Sequence, residues 1–241
     1  MNGELHGIWR IIPSPAITEI IAQSKFDFQI FDCEHGSYDF QTLENDIRAC
    51  HLHHCASYVR VGGLNQAEVQ RCLDLGAQGI IFPQLQNYDD FKQATLMVKY
   101  APEGTRGFNP FVRAWSYGFK TGIDKTPLCI VIVESLKAVE DLDNILSLSA
   151  IDMIYIGSYD LSAQLGCAGN VADPKVLNMV ETIIKKCTQA SVRVGLMISD
   201  PDQYKTYKSL GVSAFMHTID SDQLKKAFTR TINELNSKGI L

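Results

Sequence analysis

Residues 26–36 read Phe-Asp-Phe-Gln-Ile-Phe-Asp-Cys-Glu-His-Gly. Aromatic and branched side chains alternate as far as Phe31, and the run then stops in Asp32, Glu34 and His35. A buried strand that ends in acid, acid and imidazole has the form of a barrel strand delivering chemistry to a rim. The same unit recurs outward in both directions. Strands are expected over 5–12, 27–34, 58–61, 79–85, 128–134, 151–157, 192–198 and 214–219. Helical spacing follows each of them, over 16–24, 40–51, 65–75, 88–100, 138–148, 161–165 with 174–190, 201–210 and 221–236. Pro13-Ser14-Pro15 closes the first strand, and Gly76 ends the third helix.

Eight alternations of strand and helix, with no compositional break between them, predict a single α/β domain over 1–241 built as a (β/α)8 TIM barrel. Several strands are nearly unbroken apolar runs, such as Gly79-Ile80-Ile81-Phe82 and Cys129-Ile130-Val131-Ile132-Val133, as expected of strands covered on both faces. An open doubly wound sheet would show fewer strands and a Gly-rich first turn, and neither is seen.

The 241 residues are 46% apolar, and no apolar run is long enough to cross a bilayer, so the expected protein is soluble with a sizeable core and no membrane partner. The formal charge is −5 and basic blocks are absent, which argues against nucleic acid. Seven cysteines lack the C-x-x-C spacing of a zinc or redox site. With an N-terminus unlike a signal peptide, this predicts reduced thiols in a cytoplasmic protein. Cys33 stands apart because it lies inside the acidic motif, but a nucleophile needs a base set against it.

Barrel chemistry occupies the C-terminal ends of the strands. Those positions hold Glu34 and His35, Arg60, Gln84, Glu134 and Asp160. Glu134 and Asp160 leave adjacent strands, so their carboxylates can converge on a divalent cation, with waters and substrate oxygens completing an octahedron of the kind Mg²⁺ or Mn²⁺ takes. The structural alternative makes Glu134 a salt-bridge partner and Asp160 the N-cap of a helix starting at Leu161. No His or Cys converges there, which disfavours zinc. Arg60, inside an apolar strand, calls for an anion: a substrate carboxylate, a developing enolate oxygen, or an internal partner such as Glu34 or Glu134. His35 is the natural acid or base, oriented by Asp32 or Glu34.

Other features point away from chemistry. His51, His53 and His54 follow a helix and precede a strand, which places them on the N-terminal face as a solvated loop. No strand ends in Lys, against a Schiff-base aldolase, with Lys120 and Lys125 in the long 102–126 excursion left open. The turns Ser199-Asp200-Pro201-Asp202 and Asp220-Ser221-Asp222 are acidic and would repel a phosphorylated substrate. Residues 110–119 are expected either to wall the pocket or simply to pack.

Taken together, Phe31-Asp32-Cys33-Glu34-His35-Gly36, Val59-Arg60-Val61, the 73–83 segment Leu-Asp-Leu-Gly-Ala-Gln-Gly-Ile-Ile-Phe-Pro, Pro102-Glu103-Gly104-Thr105-Arg106-Gly107, Glu134 and Ile156-Gly157-Ser158-Tyr159-Asp160-Leu161-Ser162 resemble the HpcH/HpaI aldolases. The likeness runs in order over nearly the whole chain. It implies a barrel of the pyruvate/phosphoenolpyruvate type and a class II aldolase that cleaves 4-hydroxy-2-oxo acids to pyruvate and an aldehyde. It further implies that Glu134 and Asp160 bind the metal (Mg²⁺ or Mn²⁺, with Co²⁺ or Zn²⁺ as alternatives), that Arg60 stabilises the enolate, and that His35 with Asp32 shuttles protons. Trp9, Arg60, Gln84, Ser158, Tyr159 and Asp160 would contact substrate. No organic cofactor is implied. Homo-oligomers are, as hexamers built from dimers with the last helix, about 221–236, exchanged between neighbours. Two departures stand beside the metal: Ile132 where many relatives carry Gln, and Ser158 where many carry Pro. A citrate-forming Claisen condensation on the same scaffold, or a metabolite-binding barrel without turnover, are the alternative functions.

Overall fold

The computed structural model describes residues 3–122, 126–198, 201–238 and 240. Eight parallel strands close into one barrel in sequence order: β1 (Leu5–Arg10), β2 (Phe28–Asp32), β3 (Ala56–Arg60), β4 (Gly79–Phe82), β5 (Leu128–Val133), β6 (Met153–Ile156), β7 (Arg193–Met197) and β8 (Ala214–Ile219). The closing pair is β1 with β8, whose register shifts between Gly7 and Trp9.

Period-two alternation sorts the strand side chains into two cores. Trp9, Phe28, Ile30, Tyr58, Ile81, Ile130, Ile132, Met153, Tyr155, Ala214 and Met216 form one buried cluster, the filling of the barrel. Their strand neighbours, such as Phe31, Val59, Ile80, Val131, Ile154 and Phe215, pack in the larger layer against the helices. Gly7 is set by this packing. A side chain there would meet the Phe28 ring at 2.1 Å, and Gly7 pairs with Phe28 across β1 and β2.

Helix starts follow their capping residues. Ser14 caps α1 (Pro15–Gln23), with Pro15 at the first position. Asp39 and Thr42 form a capping box on α2 (Phe40–Leu52). Asn65 caps α3 (Gln66–Asp74), Asn87 caps α4 (Tyr88–Met97), and Ser135 caps the short α5 (Leu136–Glu140). The expected 138–148 helix is interrupted, because α6 (Leu142–Leu146) starts anew after Asp141. Next come α7 (Ser158–Gln164), α8 (Pro174–Gln189), α9 (Pro201–Ser209) and α10 (Asp220–Ser237). α10 leaves the barrel with almost every side chain after Leu224 exposed.

Residues 98–122 follow α4, and 126–127 lead into β5, so the described residues of this connection run beneath the barrel. That corrects the expectation that residues 110–119 wall the catalytic pocket: an α-to-β connection lies on the N-terminal face. Arg113 there bonds the Leu75 carbonyl at 2.6 Å, and the Trp115 indole N–H donates to the Tyr100 hydroxyl at 2.9 Å.

Candidate active site

β2 and β3 run in register so that Asp32 sits opposite Arg60 at the C-terminal end of the barrel. The Arg60 fork donates to Asp32 from Nε at 2.9 Å and from Nη2 at 2.5 Å, and Nη1 reaches Glu34 Oε2 at 2.7 Å. The guanidinium lies 4.6 Å above the Trp9 ring. Burial would depress the Arg60 pKa, but the Asp32 hydrogen bond and the Asp32 and Glu34 charges outweigh it and hold it above its ordinary value. Two of the five guanidinium N–H groups are left for another acceptor.

Asp32 is 2% exposed and fully engaged, since its Oδ1 also accepts the backbone N–H of Glu34 at 3.0 Å and of His35 at 3.2 Å. Its carboxylate fixes the turn that carries His35. The His35 ring itself is 71% exposed, and the carboxylate it faces is Glu34, at 3.9 Å. Of the two acids named from the sequence, Glu34 therefore stands against the imidazole and Asp32 stands behind the backbone.

Gln84 ties the two halves of the rim together. Its backbone is left-handed (φ 61°), an uncommon state for a residue with a side chain. In that conformation its N–H donates to Glu134 Oε1 at 2.5 Å while its side-chain amide donates to Glu34 Oε1 at 2.6 Å. Glu134, just past β5, is 7% exposed. Burial pushes its carboxyl up to about 7; the Gln84 N–H opposes this, and the charges of Asp160 and Glu34 add to it. Gly157 leaves room for this carboxylate, since a Cβ there would lie 2.5 Å from Glu134 Cβ and 2.9 Å from Oε2.

Asp160 lies in the first turn of α7, which starts at Ser158 behind Gly157. The expectation that Asp160 could cap a helix starting at Leu161 is thus corrected: the helix begins three residues earlier, and the carboxylate projects exposed at the rim. Tyr159 is 59% exposed beside it, and Ser158 is half-buried. The donor set suits a hard divalent cation. Two carboxylates close enough to feel each other's charge face the barrel mouth, and one of them is buried, with the Arg60 charge acting on it only from a distance. Among the described residues no three His, Cys, Asp or Glu side chains gather to hold an ion alone, so waters or substrate oxygens would complete the shell.

Sequence reasoning overlooked Tyr155. It pairs with Ile132 across β5 and β6, is 8% exposed, and meets the Trp9 ring edge-on at 5.5 Å. Burial pushes its phenol up to about 12. Ile132 therefore fills the barrel one layer below Glu134, with the buried Trp9 indole N–H beside the Tyr155 hydroxyl. The signal was in the strand: Tyr155 stands two residues before Gly157, on the inward face.

Several candidates fall elsewhere. Cys33 faces the gap between α2 and α3, and burial raises its thiol to about 12, the opposite of an activated nucleophile. His51 is on the N-terminal face as expected but is fixed rather than solvated, with Nδ1 3.2 Å from Arg113 and Nε2 3.2 Å from the Ser57 hydroxyl. Lys120 lies on that face too, 5.9 Å from the Trp115 ring. Lys125, Ser199 and Asp200 lie outside the described residues. Asp220 is buried against Arg10 rather than open to the rim.

The sequence profile of the HpcH/HpaI aldolase/citrate lyase family matches residues 6–227. A 2-dehydro-3,6-dideoxy-6-sulfogluconate aldolase of Pseudomonas putida is 29% identical over 85% of this chain and 82% of its own length. A 4-hydroxy-2-oxo-heptane-1,7-dioate aldolase of Shigella sonnei is 28% identical over 92% of this chain and 86% of its own. Among solved structures, citrate synthase SbnG superposes with a TM-score of 0.89 at 26% identity, over 99% of this chain and 96% of that one.

Proposed function

The chain belongs to the HpcH/HpaI aldolase/citrate lyase family, and on that footing we propose that it is a divalent-metal-dependent aldolase interconverting a 4-hydroxy-2-oxo acid with pyruvate and an aldehyde. It is a carbon–carbon lyase by its relatives. The observation that carries the metal-dependent reading is Glu134: a buried carboxylate raised to about 7, beside Asp160, held by the Gln84 amide and without a cationic partner in contact.

Glu134 and Asp160 would hold Mg²⁺ or Mn²⁺, which supplies Lewis-acid polarisation of the substrate's carboxylate and keto oxygens. The chain's own groups do the rest. Arg60, pinned by Asp32 and Glu34, presents its remaining N–H groups where negative charge gathers on the keto oxygen as the C3–C4 bond breaks. His35, exposed at the mouth beside Glu34, takes the C4 hydroxyl proton as the aldehyde forms and returns it in condensation. Trp9 and Ile132 form an apolar floor that excludes water below the reacting carbons. Ser158 and Tyr159 flank the open side, where the aldehyde portion would lie.

The test is exchange of the pyruvate methyl protons for deuterium, followed by NMR with and without Mn²⁺. The expected result is metal-dependent exchange that disappears in Glu134→Ala. A metal-binding protein that exchanges nothing would remove the pyruvate reading. Weight would then pass to the second reading, a Claisen-type condensation at the same rim, which the overlay with a citrate synthase favours.

We further read the protein as a homo-oligomer that exchanges α10 between subunits, hexameric by the family resemblance. The support is in α10 itself, where Phe228 is 67% and Ile232 49% exposed on one face. A cytoplasmic setting is supported by seven free cysteines.

A further inference from the structure

At the end of the barrel opposite the rim, residues 98–120 border a cavity of about 1120 Å³ against the first residues of β3 and β5. Five permanent cations line it: Arg48, Lys99, Arg106, Arg113 and Lys120. Two acids, Asp27 and Glu103, line it as well. In a chain whose formal charge is −5, this is a local excess of positive charge.

Part of that charge is answered within the protein. Arg48 pairs with Glu44 at 2.5 Å, Arg106 with Asp74 at 3.0 Å, and the Asp27 carboxylate accepts the His6 backbone N–H at 2.8 Å. Arg113 has no acid in contact, and one donor of Arg106 stays unmade. Arg113 is half-buried, yet its partners are the Leu75 carbonyl and the His51 ring, both neutral acceptors. Burial and the nearby Arg48 charge lower its pKa, and burial and Arg113 together lower that of His51. Arg106 is 6% exposed and stacked 4.4 Å from the Tyr100 ring, and its Nε–H is buried without an acceptor. A buried donor left without an acceptor loses its water with nothing in exchange. An oxyanion in the cavity would relieve it and neutralise Arg113 at once.

We propose that this cavity is a second ligand site, taking a small polyvalent oxyanion (the carboxylates or phosphoryl group of a metabolite) on Arg113 and Arg106, with Lys99 at its edge. Guanidinium forks match planar carboxylate and phosphate oxygens. The barrel filling, including Tyr58, Ile81 and Ile130, separates the cavity from the rim, so the site needs neither the catalytic metal nor the aldolase reading.

Trp115 lines the cavity and is one of two tryptophans, the other being Trp9 at the rim. Trp9→Phe therefore leaves a single indole that reports on this site. Its fluorescence would be titrated with citrate and, separately, with inorganic phosphate, in EDTA, with sodium chloride at matched ionic strength as control. A saturable change with citrate identifies the carboxylate form, and one with phosphate the phosphoryl form. Either should weaken by about tenfold or more in Arg113→Gln and in Lys99→Gln, and persist in Glu134→Ala. A response that chloride reproduces, or no saturable response to either anion, overturns the proposal. So does binding that survives both cavity variants or is lost in Glu134→Ala. Should Arg113→Gln lose its native circular dichroism, Lys99→Gln decides.

Discussion

At Glu134, burial raises the carboxyl from 4.5 to about 7, with the Gln84 N–H opposing and the Asp160 and Glu34 charges adding. The sign of the pH dependence follows. The folded state holds this proton more tightly than the unfolded one, so the group's contribution to metal-free stability is complete below 4.5 and is lost as pH rises through about 7. A cation competes for the same oxygens and needs the deprotonated form, so apparent Mn²⁺ affinity should fall about tenfold for each pH unit below 7 and level off above it. Calorimetric titrations of Mn²⁺ across pH 5.5–8.5 (a range of about three units around that value) check this, with Glu134→Gln as the control that should abolish the metal binding. An affinity independent of pH would show that Glu134 is not a ligand. Glu134, Asp160, Arg60 and His35 were all legible as residues, because polar groups at the ends of apolar strands stand out. The partition of roles between Asp32 and Glu34 was not. Two acids two residues apart look alike until the register places one behind the turn and the other against the imidazole.

Among the elements, β1, α1, α2 and the start of α10 share a buried polar node with no counterpart in the sequence reading. Arg10 is 0% exposed and donates from Nε to Asp220 at 2.9 Å and from Nη1 to Gln29 at 2.7 Å and Thr18 at 2.5 Å. Asp220 also accepts the N–H groups of Ile11 and Ile12, both at 3.1 Å, and the Thr18 hydroxyl bonds Asp46. One aspartate thus joins the β1–α1 turn to the first residue of α10. Removing it leaves a guanidinium buried without its carboxylate, and breaking such a pair costs about 3–5 kcal/mol. Asp220→Ala is expected to lower the free energy of unfolding by that amount, read by chemical unfolding as a lower midpoint at unchanged m-value. A loss within about 0.5 kcal/mol, the range of ordinary surface substitutions, would mean the node is incidental. The sequence does not single out Arg10, because nothing local distinguishes an outward arginine in water from one covered by helices.

At the scale of the molecule, the barrel is closed through β1 and β8, yet its last helix is left with an uncovered apolar face. Leu224, Phe228, Ile232 and Leu235 recur at helical spacing along α10. Phe228 and Ile232 are exposed, as is Ile20 on α1 at 65%. Exposed apolar groups aligned along one helix signal association. If α10 is exchanged between subunits, Phe228→Glu should turn an oligomer into a monomer by light scattering coupled to size exclusion. A wild type that already runs as a monomer would end the exchange reading. The same scale decided the place of the 98–122 segment. Its aromatic residues suggested a pocket wall, but its position between a helix and the next strand puts it under the barrel.

The sequence alone determined the eight βα units, the barrel and the identities of the rim residues. Those depend on local periodicity, on caps, and on the rule that chemistry follows the ends of strands. The tertiary structure decided which carboxylate answers which cation: Asp32 behind the His35 turn, Gln84 bridging Glu34 to Glu134, Arg10 buried on Asp220, and Arg113 left without an acid. Electrostatic partnership depends on distances and burial between strands far apart in the chain, and local patterning carries no record of either.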